Sequence, residues 1–201
     1  MATNNSGNIP VGTSGQVFEY SSTGPVVADA IDVGAMIKLS SQTASNSASI
    51  EFTSVITSAY PSYKLIMYGV IPATDGSDLT LQFSVDNGST WETTAGDYMY
   101  YNHANQVTTD TSYGSSSNTS YIIADNNDNT TIMAFVVDFL ATTTTNPMMF
   151  SHGTARDTGT SNYGVHNGCG RYTQGAVINA VRVICSSGNI TSGTFKLYGM
   201  N

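Results

Sequence analysis

The sequence predicts an all-β protein: a jelly-roll-like antiparallel β-sandwich with an extended N-terminal arm. Three observations carry this. Only 10% of the 201 residues are charged, against roughly a quarter in ordinary domains; Ser, Thr, Asn and Gly supply the polarity, and they favour turns and strand surfaces over helix interiors. No window of a dozen residues joins a helical period to good helix formers. Short apolar runs with two-residue alternation recur between turn signals, enough for about eight to ten strands. The length fits one domain with a sizeable core, and no internal repeat is visible.

Residues 1–34 read as the arm. Gly7, Gly12, Gly15, Gly24, Gly34, Pro10 and Pro25 forbid an independent core. Yet Ile9, Val11, Val17, Phe18 and Tyr20 are too apolar for a plain linker, which suits an arm that orders on another subunit; a frayed tail is the alternative. Residues 35–201 form the head.

Within the head, Ala35–Leu39 and Ala48–Phe52 are short strands. Tyr63–Ile71 is apolar on both faces, as a central strand covered by a second sheet or a neighbouring subunit would be. Asp78–Val85 alternates most cleanly, with Leu79, Leu81, Phe83 and Val85 inward and Thr80, Gln82 and Ser84 outward. Asp86-Asn87-Gly88-Ser89 offers a tight hairpin turn, with Thr90–Thr93 returning. Tyr98–Ser120 reads as polar, tyrosine-rich loop. Tyr121–Ala124 and Thr131–Ala141 are strands, and Pro147–Phe150 starts another. Ser151–Arg171 reads as a long polar loop. A closing hairpin follows: a β-branched run through Val177, Val181, Val183 and Cys185, a turn at Ser186–Gly193, and a return with Phe195 and Leu197 on one face and Thr194, Lys196 and Tyr198 on the other. So close to the end of the chain, such a strand must be paired to be ordered.

Several function classes find no support. The net charge is −8, and the six basic residues are scattered singly, so the basic stripe that nucleic acid or an anionic membrane requires is missing. No apolar run approaches a membrane span, and the N-terminus has no signal-peptide pattern. This predicts a cytosolic product with Cys169 and Cys185 as two free thiols, the buried-strand Cys185 packing as a small hydrophobe. Asp125-Asn126-Asn127-Asp128-Asn129 has oxygen ligands at alternate positions. Thr130 and Val136 stand where a calcium loop needs Gly and Glu, so this stretch and Asp75–Asp78 read as turns, and neither metal nor cofactor is expected. His103, His152 and His166 are bases by type, but no nucleophile elbow, metalloprotease motif or carboxylate pair accompanies them. The chain reads as non-enzymatic.

Tyr98, Tyr100, Tyr101, Tyr113 and Tyr163 are candidate contacts for a receptor or partner, because a tyrosine offers a rigid ring and a hydroxyl at low entropic cost. The alternative places Tyr98 and Tyr100 inside a sheet and Tyr101 over an edge.

SSGNITSGTFKLYGM (residues 186–200) resembles a C-terminal signature of bacteriophage structural proteins, met there as SSGNIxSGTFxLYG. Residues 37–54 and 60–91 look like further parts of the same module, and Gly12–Val17 (GTSGQV) is similar to a tail-fibre linker. Together these cover about half of the chain; residues 98–171 resemble nothing known. The resemblance implies a virion protein assembled in the host cytoplasm: a trimeric short fibre or fibre tip that docks on other virion proteins through its arm and binds a host glycan or protein. A capsid decoration or head-fibre protein is the alternative, and a polysaccharide-degrading tailspike is a third.

Overall fold

A computed structural model describes residues 16–21, 24–29, 36–106, 110–141, 147–159 and 163–200. The chain divides into two compact units, Met1–Ala35 with Asn201, and Met36–Met200. In the first, β1 (Gln16–Ser21) pairs antiparallel with β2 (Gly24–Asp29), Gln16 opposite Asp29. These described residues thus form a hairpin, in keeping with the β-branched residues of both segments and the two aromatics of β1. Val17, Phe18 and Tyr20 lie on β1; Ile9 and Val11 lie outside the described residues.

The second unit is an antiparallel two-sheet sandwich. Its strands are β3 (Met36–Ser47), β4 (Ile50–Phe52), β5 (Ser62–Pro72), β6 (Ser77–Ser84), β7 (Tyr98–Gln106), β8 (Asp110–Asn118), β9 (Tyr121–Asn127), β10 (Met133–Leu140), β11 (Met148–Arg156), β12 (Tyr163–Tyr172), β13 (Ala180–Cys185) and β14 (Ile190–Met200). The larger sheet runs β3-β14-β5-β10-β11-β12-β7-β8, and the smaller runs β4-β13-β6-β9. No helix occurs among the described residues.

The core lies between the sheets. Leu65, Met67, Phe135, Val137, Phe139, Phe195 and Leu197 from the larger sheet meet Ile50, Phe52, Leu79, Leu81, Phe83, Val181 and Val183 from the smaller. Rings dominate one end: Phe139 stacks on Tyr63 at 5.6 Å and lies 5.3 Å from Phe83, and Tyr98 and Tyr172 are 5.7 Å apart. The buried tyrosines also satisfy backbone. The Tyr98 hydroxyl accepts from the Phe83 amide at 2.7 Å, and the Tyr63 hydroxyl accepts from Thr57 N–H at 2.7 Å and donates to Thr57 C=O at 2.6 Å.

Several expectations are corrected. The Ser- and Thr-rich stretch after Leu39 continues β3 to Ser47, because its outward positions need no apolar residues. The Asn87-Gly88 turn forms, with φ of 61° and 87°, but no return strand follows; the Glu92 amide alone reaches back to Phe83 C=O, at 2.9 Å. Thr80, Gln82 and Ser84 point away from Leu79, Leu81 and Phe83 as expected, but are buried there rather than exposed: Gln82 Oε1 accepts from Arg182 at 2.7 and 2.9 Å, and that guanidinium lies 4.7 Å from the Trp91 ring centre. The tyrosine-rich segment is the β7–β8 hairpin, and the long polar stretch to Arg171 is β11–β12. β13 and β14 do not pair as a hairpin. β13 lies between β4 and β6 in the smaller sheet, and β14 between β3 and β5 in the larger.

Candidate functional site

The two unforeseen hairpins create the most distinctive surface. β7–β8 leaves the chain between β6 and β9, and β11–β12 leaves it between β10 and β13. They join side by side, Gly168 opposite Asn102 and Cys169 opposite Tyr101, and extend the larger sheet from four strands to eight. One face of this sheet covers the core; the other is open.

Register places the residues of the open face in rows. One row runs Lys38, Tyr198, Lys64, Asp138, Phe150, Cys169, Tyr101. A second runs Lys196, Ile66, Val136, His152, Asn167, His103. Met36, Tyr68, Tyr101, Leu140, Met148, Phe150, Tyr163 and Val165 stand exposed on this face, Phe150 at 51% and Tyr101 at 55%. Several exposed apolar residues gathered on one face mark a contact region, whereas single ones do not.

Three depressions mark the face. The largest, about 860 Å³, is lined by Met99, Tyr101, Ser115, Ser116, Met148, Cys169 and Arg171. Gly114, opposite Tyr101, leaves room for it; a Cβ there would come within 2.6 Å of the Tyr100 carbonyl. The Arg171 guanidinium lies on the Met99 sulfur, at 3.0 and 3.2 Å. A second, about 310 Å³, crosses β5, β10 and β11 beside Tyr68 and His152; a third, about 190 Å³, lies between Leu140, Phe150 and Met200.

Charge on this face is sparse. Lys64 pairs with Asp138 at 2.5 Å, and His103 with Asp110 at 2.5 Å. The Lys196 ammonium sits 5.1 Å from the Tyr68 ring centre. Their hydrogen bond raises the Lys196 pKa and lowers that of Tyr68.

The predicted contact tyrosines separate. Tyr101 and Tyr163 stand exposed on the open face, on different strands and in different rows. Tyr98 is fully buried, and Tyr100 packs against Tyr121 edge-on at 6.2 Å, its hydroxyl accepting from Asn118 at 3.2 Å. Tyr113 is half-buried; burial drives its hydroxyl pKa up strongly. The interior alternative therefore describes Tyr98 and Tyr100. Met148, Phe150 and Val165, which the sequence reading left unassigned to any surface, form much of the face. Their signal is weak, because among their inward neighbours Ser151, Gly164 and His166 are polar or small and only Met149 is a large apolar residue.

The two Asp-rich stretches, expected as turns, are partly strand, with Asp125–Asn127 ending β9 and Asp78 on β6, and they meet each other. Asp78 Oδ1 accepts from Asn126 N–H at 3.0 Å, Asp75 Oδ1 accepts from Asn129 N–H at 3.3 Å, and Asp75 also accepts from the Thr158 hydroxyl. Their carboxylates tie loops together. Both cysteines are free: Cys169 is exposed in the largest depression, and burial pushes the Cys185 thiol up to about 11.

No protein-family model, curated protein or solved structure matches the chain.

Proposed function

We propose that this chain is a non-enzymatic structural protein of a bacteriophage virion. In this reading the head is a jelly roll that assembles as a homotrimer, residues 1–34 dock on other virion proteins, and the particle uses the head as a short fibre or fibre tip to bind the host surface. The carrying observation is the open apolar face of the eight-stranded sheet, which leaves the broadest surface of the head unfinished without a protein contact. The strand order supports the jelly roll. With the two inserted hairpins set aside, the eight remaining strands, numbered along the chain, run first-eighth-third-sixth in one sheet and second-seventh-fourth-fifth in the other, the winding of a double Greek key. The resemblance of residues 186–200 to a phage signature supplies the biological setting.

The same face would also serve a capsid decoration protein, and one experiment separates the two. Gold-tagged antibody to the head, imaged on intact particles, is expected at the tail or its tip; label spread over the capsid selects decoration. Particles that carry no label overturn the virion reading. A glycan panel incubated with the purified chain is expected to show no new reducing ends, and their appearance would select the tailspike.

A further inference from the structure

We infer that the open face of the eight-stranded sheet is one half of a head-to-tail contact between copies of this chain. The other half is the acidic flank built by the four-stranded sheet and its turns. The argument rests on how charge is divided over the molecule. All three lysines of the chain, Lys38, Lys64 and Lys196, lie on the open face, and Arg171 joins them. Among the described residues only two acids share that face, Asp110 and Asp138, and each already has a partner there. Arg156, opposite Tyr163 and in phase with Phe150 and His152, stands on the same face, so the face is formally +3, with five basic and two acidic residues. The rest of Met36–Met200 holds one basic and nine acidic residues among those described, formally −8. Arg156 and Arg182 are each engaged within their own chain, Arg156 with Asp128 at 3.7 Å, and Arg182 with Gln82 and, at 4.0 Å, with Glu51.

The acids off the face concentrate around the smaller sheet. Glu51 lies on β4, Asp75 in the turn before β6 and Asp78 on it, Asp86 and Glu92 after its end, and Asp125 on β9. A face-to-face pair of two copies would be isologous, setting Lys38, Lys64 and Lys196 against the same patch of the partner. Like charges brought together in a desolvated contact are unfavourable, whereas complementary patches steer and orient association. A head-to-tail contact lets the apolar surface be covered while each lysine meets carboxylates. Such a contact closes into a ring when its rotation permits, which a trimer requires. This inference rests on the proposed function only in taking a second copy as the occupant of the face.

The lysines make the test direct. Equal amounts of unlabelled and isotope-labelled full-length chain are mixed and treated with a carbodiimide, which joins an amine to a carboxylate without a spacer. The expected result is mixed-isotope links from Lys38, Lys64 or Lys196 to Glu51, Asp75, Asp78, Asp86, Glu92 or Asp125. The charge-reversed variant K38E/K196E is expected to lose those links. By light scattering it should have the mass of one 21.2 kDa chain where the parent is oligomeric, with the same circular dichroism spectrum. Salt near 1 M, where screening acts beyond about 3 Å, is expected to weaken association at least tenfold. Three outcomes would overturn the inference: a parent chain that is monomeric at micromolar concentration, mixed-isotope links found only between lysines with an amine-to-amine reagent, or association unchanged in the variant and in salt. Were the variant to misfold, the links in the parent chain decide. The two proposals fail separately: a monomer found on labelled particles sinks the contact alone, and correct links from a protein absent from particles sink the virion reading alone.

Discussion

His166 lies on the inner face of β12, 1% exposed, and neither ring nitrogen has a hydrogen-bond partner. Phe135 meets it edge-on at 6.0 Å, and the nearest carboxylate oxygen, on Asp157, is 3.9 Å from Nε2. Burial is the largest influence on its pKa and lowers it; Asp157 and Asp125 oppose that. The unfolded chain takes up a proton at this histidine below about pH 6.5, while the folded head resists it. Stability contributed here is therefore complete above that pH and falls as pH drops toward the folded-state pKa, by at most about 1.4 kcal/mol per pH unit. His166→Phe should flatten the loss between neutral pH and about pH 5, read as urea midpoints; an unchanged slope would reject this account. The deeper acid limb should remain. Asp86 is lowered to about 2, chiefly by the Thr90 hydroxyl, so its contribution is present above the ordinary carboxylate range and lost only as pH falls toward that value. A second contrast concerns tyrosines. Tyr98→Phe strips the Phe83 amide of its acceptor inside the core and should cost about 1–3 kcal/mol. Tyr101→Ala, on the open face, should change the stability of the isolated head by no more than about 0.5 kcal/mol. Thermal unfolding of both variants at dilution checks the pair.

At the scale of elements, the sandwich core was legible and the extension was not. Leu79, Leu81 and Phe83 announce their inward face by alternating with polar residues, as do Phe195 and Leu197. In β11 and β12 the inward positions between Met149 and Tyr172 are mostly Ser151, Gly153, Gly164, His166, Gly168 and Gly170, with Ala155 the one small apolar residue among them, so only a weak apolar beat marks the period. The cause is proximity. The inner face of the extension is crowded by β9 and by its own polar side chains, leaving no room for larger residues. A Cβ on Gly168 would fall 1.8 Å from Asn102 Oδ1 and 2.7 Å from both Ser151 Oγ and the Tyr121 hydroxyl, and those last two atoms already bond each other at 2.7 Å. Gly168→Ala should therefore destabilise by roughly 1–3 kcal/mol through overpacking, whereas Cys169→Ser, one residue along and outward, should stay within about 0.5 kcal/mol. Equal denaturation midpoints for the two variants would show that the extension is looser than its geometry implies. The same reasoning explains why the open face was missed: a run such as Gly-Val-His-Asn-Gly-Cys-Gly reads as loop until its glycines are seen to face inward.

At the scale of the whole molecule, pairing was the illegible quantity. Val181, Val183, Phe195 and Leu197 marked two strands correctly, but a turn between strands does not say whether they pair. Here Ser186–Asn189 carries the chain across the sandwich, and β14 inserts between β3 and β5 with Gly199 opposite both Ile37 and Tyr63. Removing residues 190–200 would open two inner strand edges and strip Phe195 and Leu197 from the core. That variant should show no cooperative unfolding transition by calorimetry, and a retained transition would refute the central role of β14. Because the pairing joins the first strand of the head to its last, folding of the intact head should be slow for its size, in the millisecond-to-second range of non-local β topologies. For a translating ribosome this means that the larger sheet stays divided until Met200 has been made. A product broken off upstream of Ile190 would lack the strand that completes this sheet and should fall to proteases, so synthesis itself screens which copies persist.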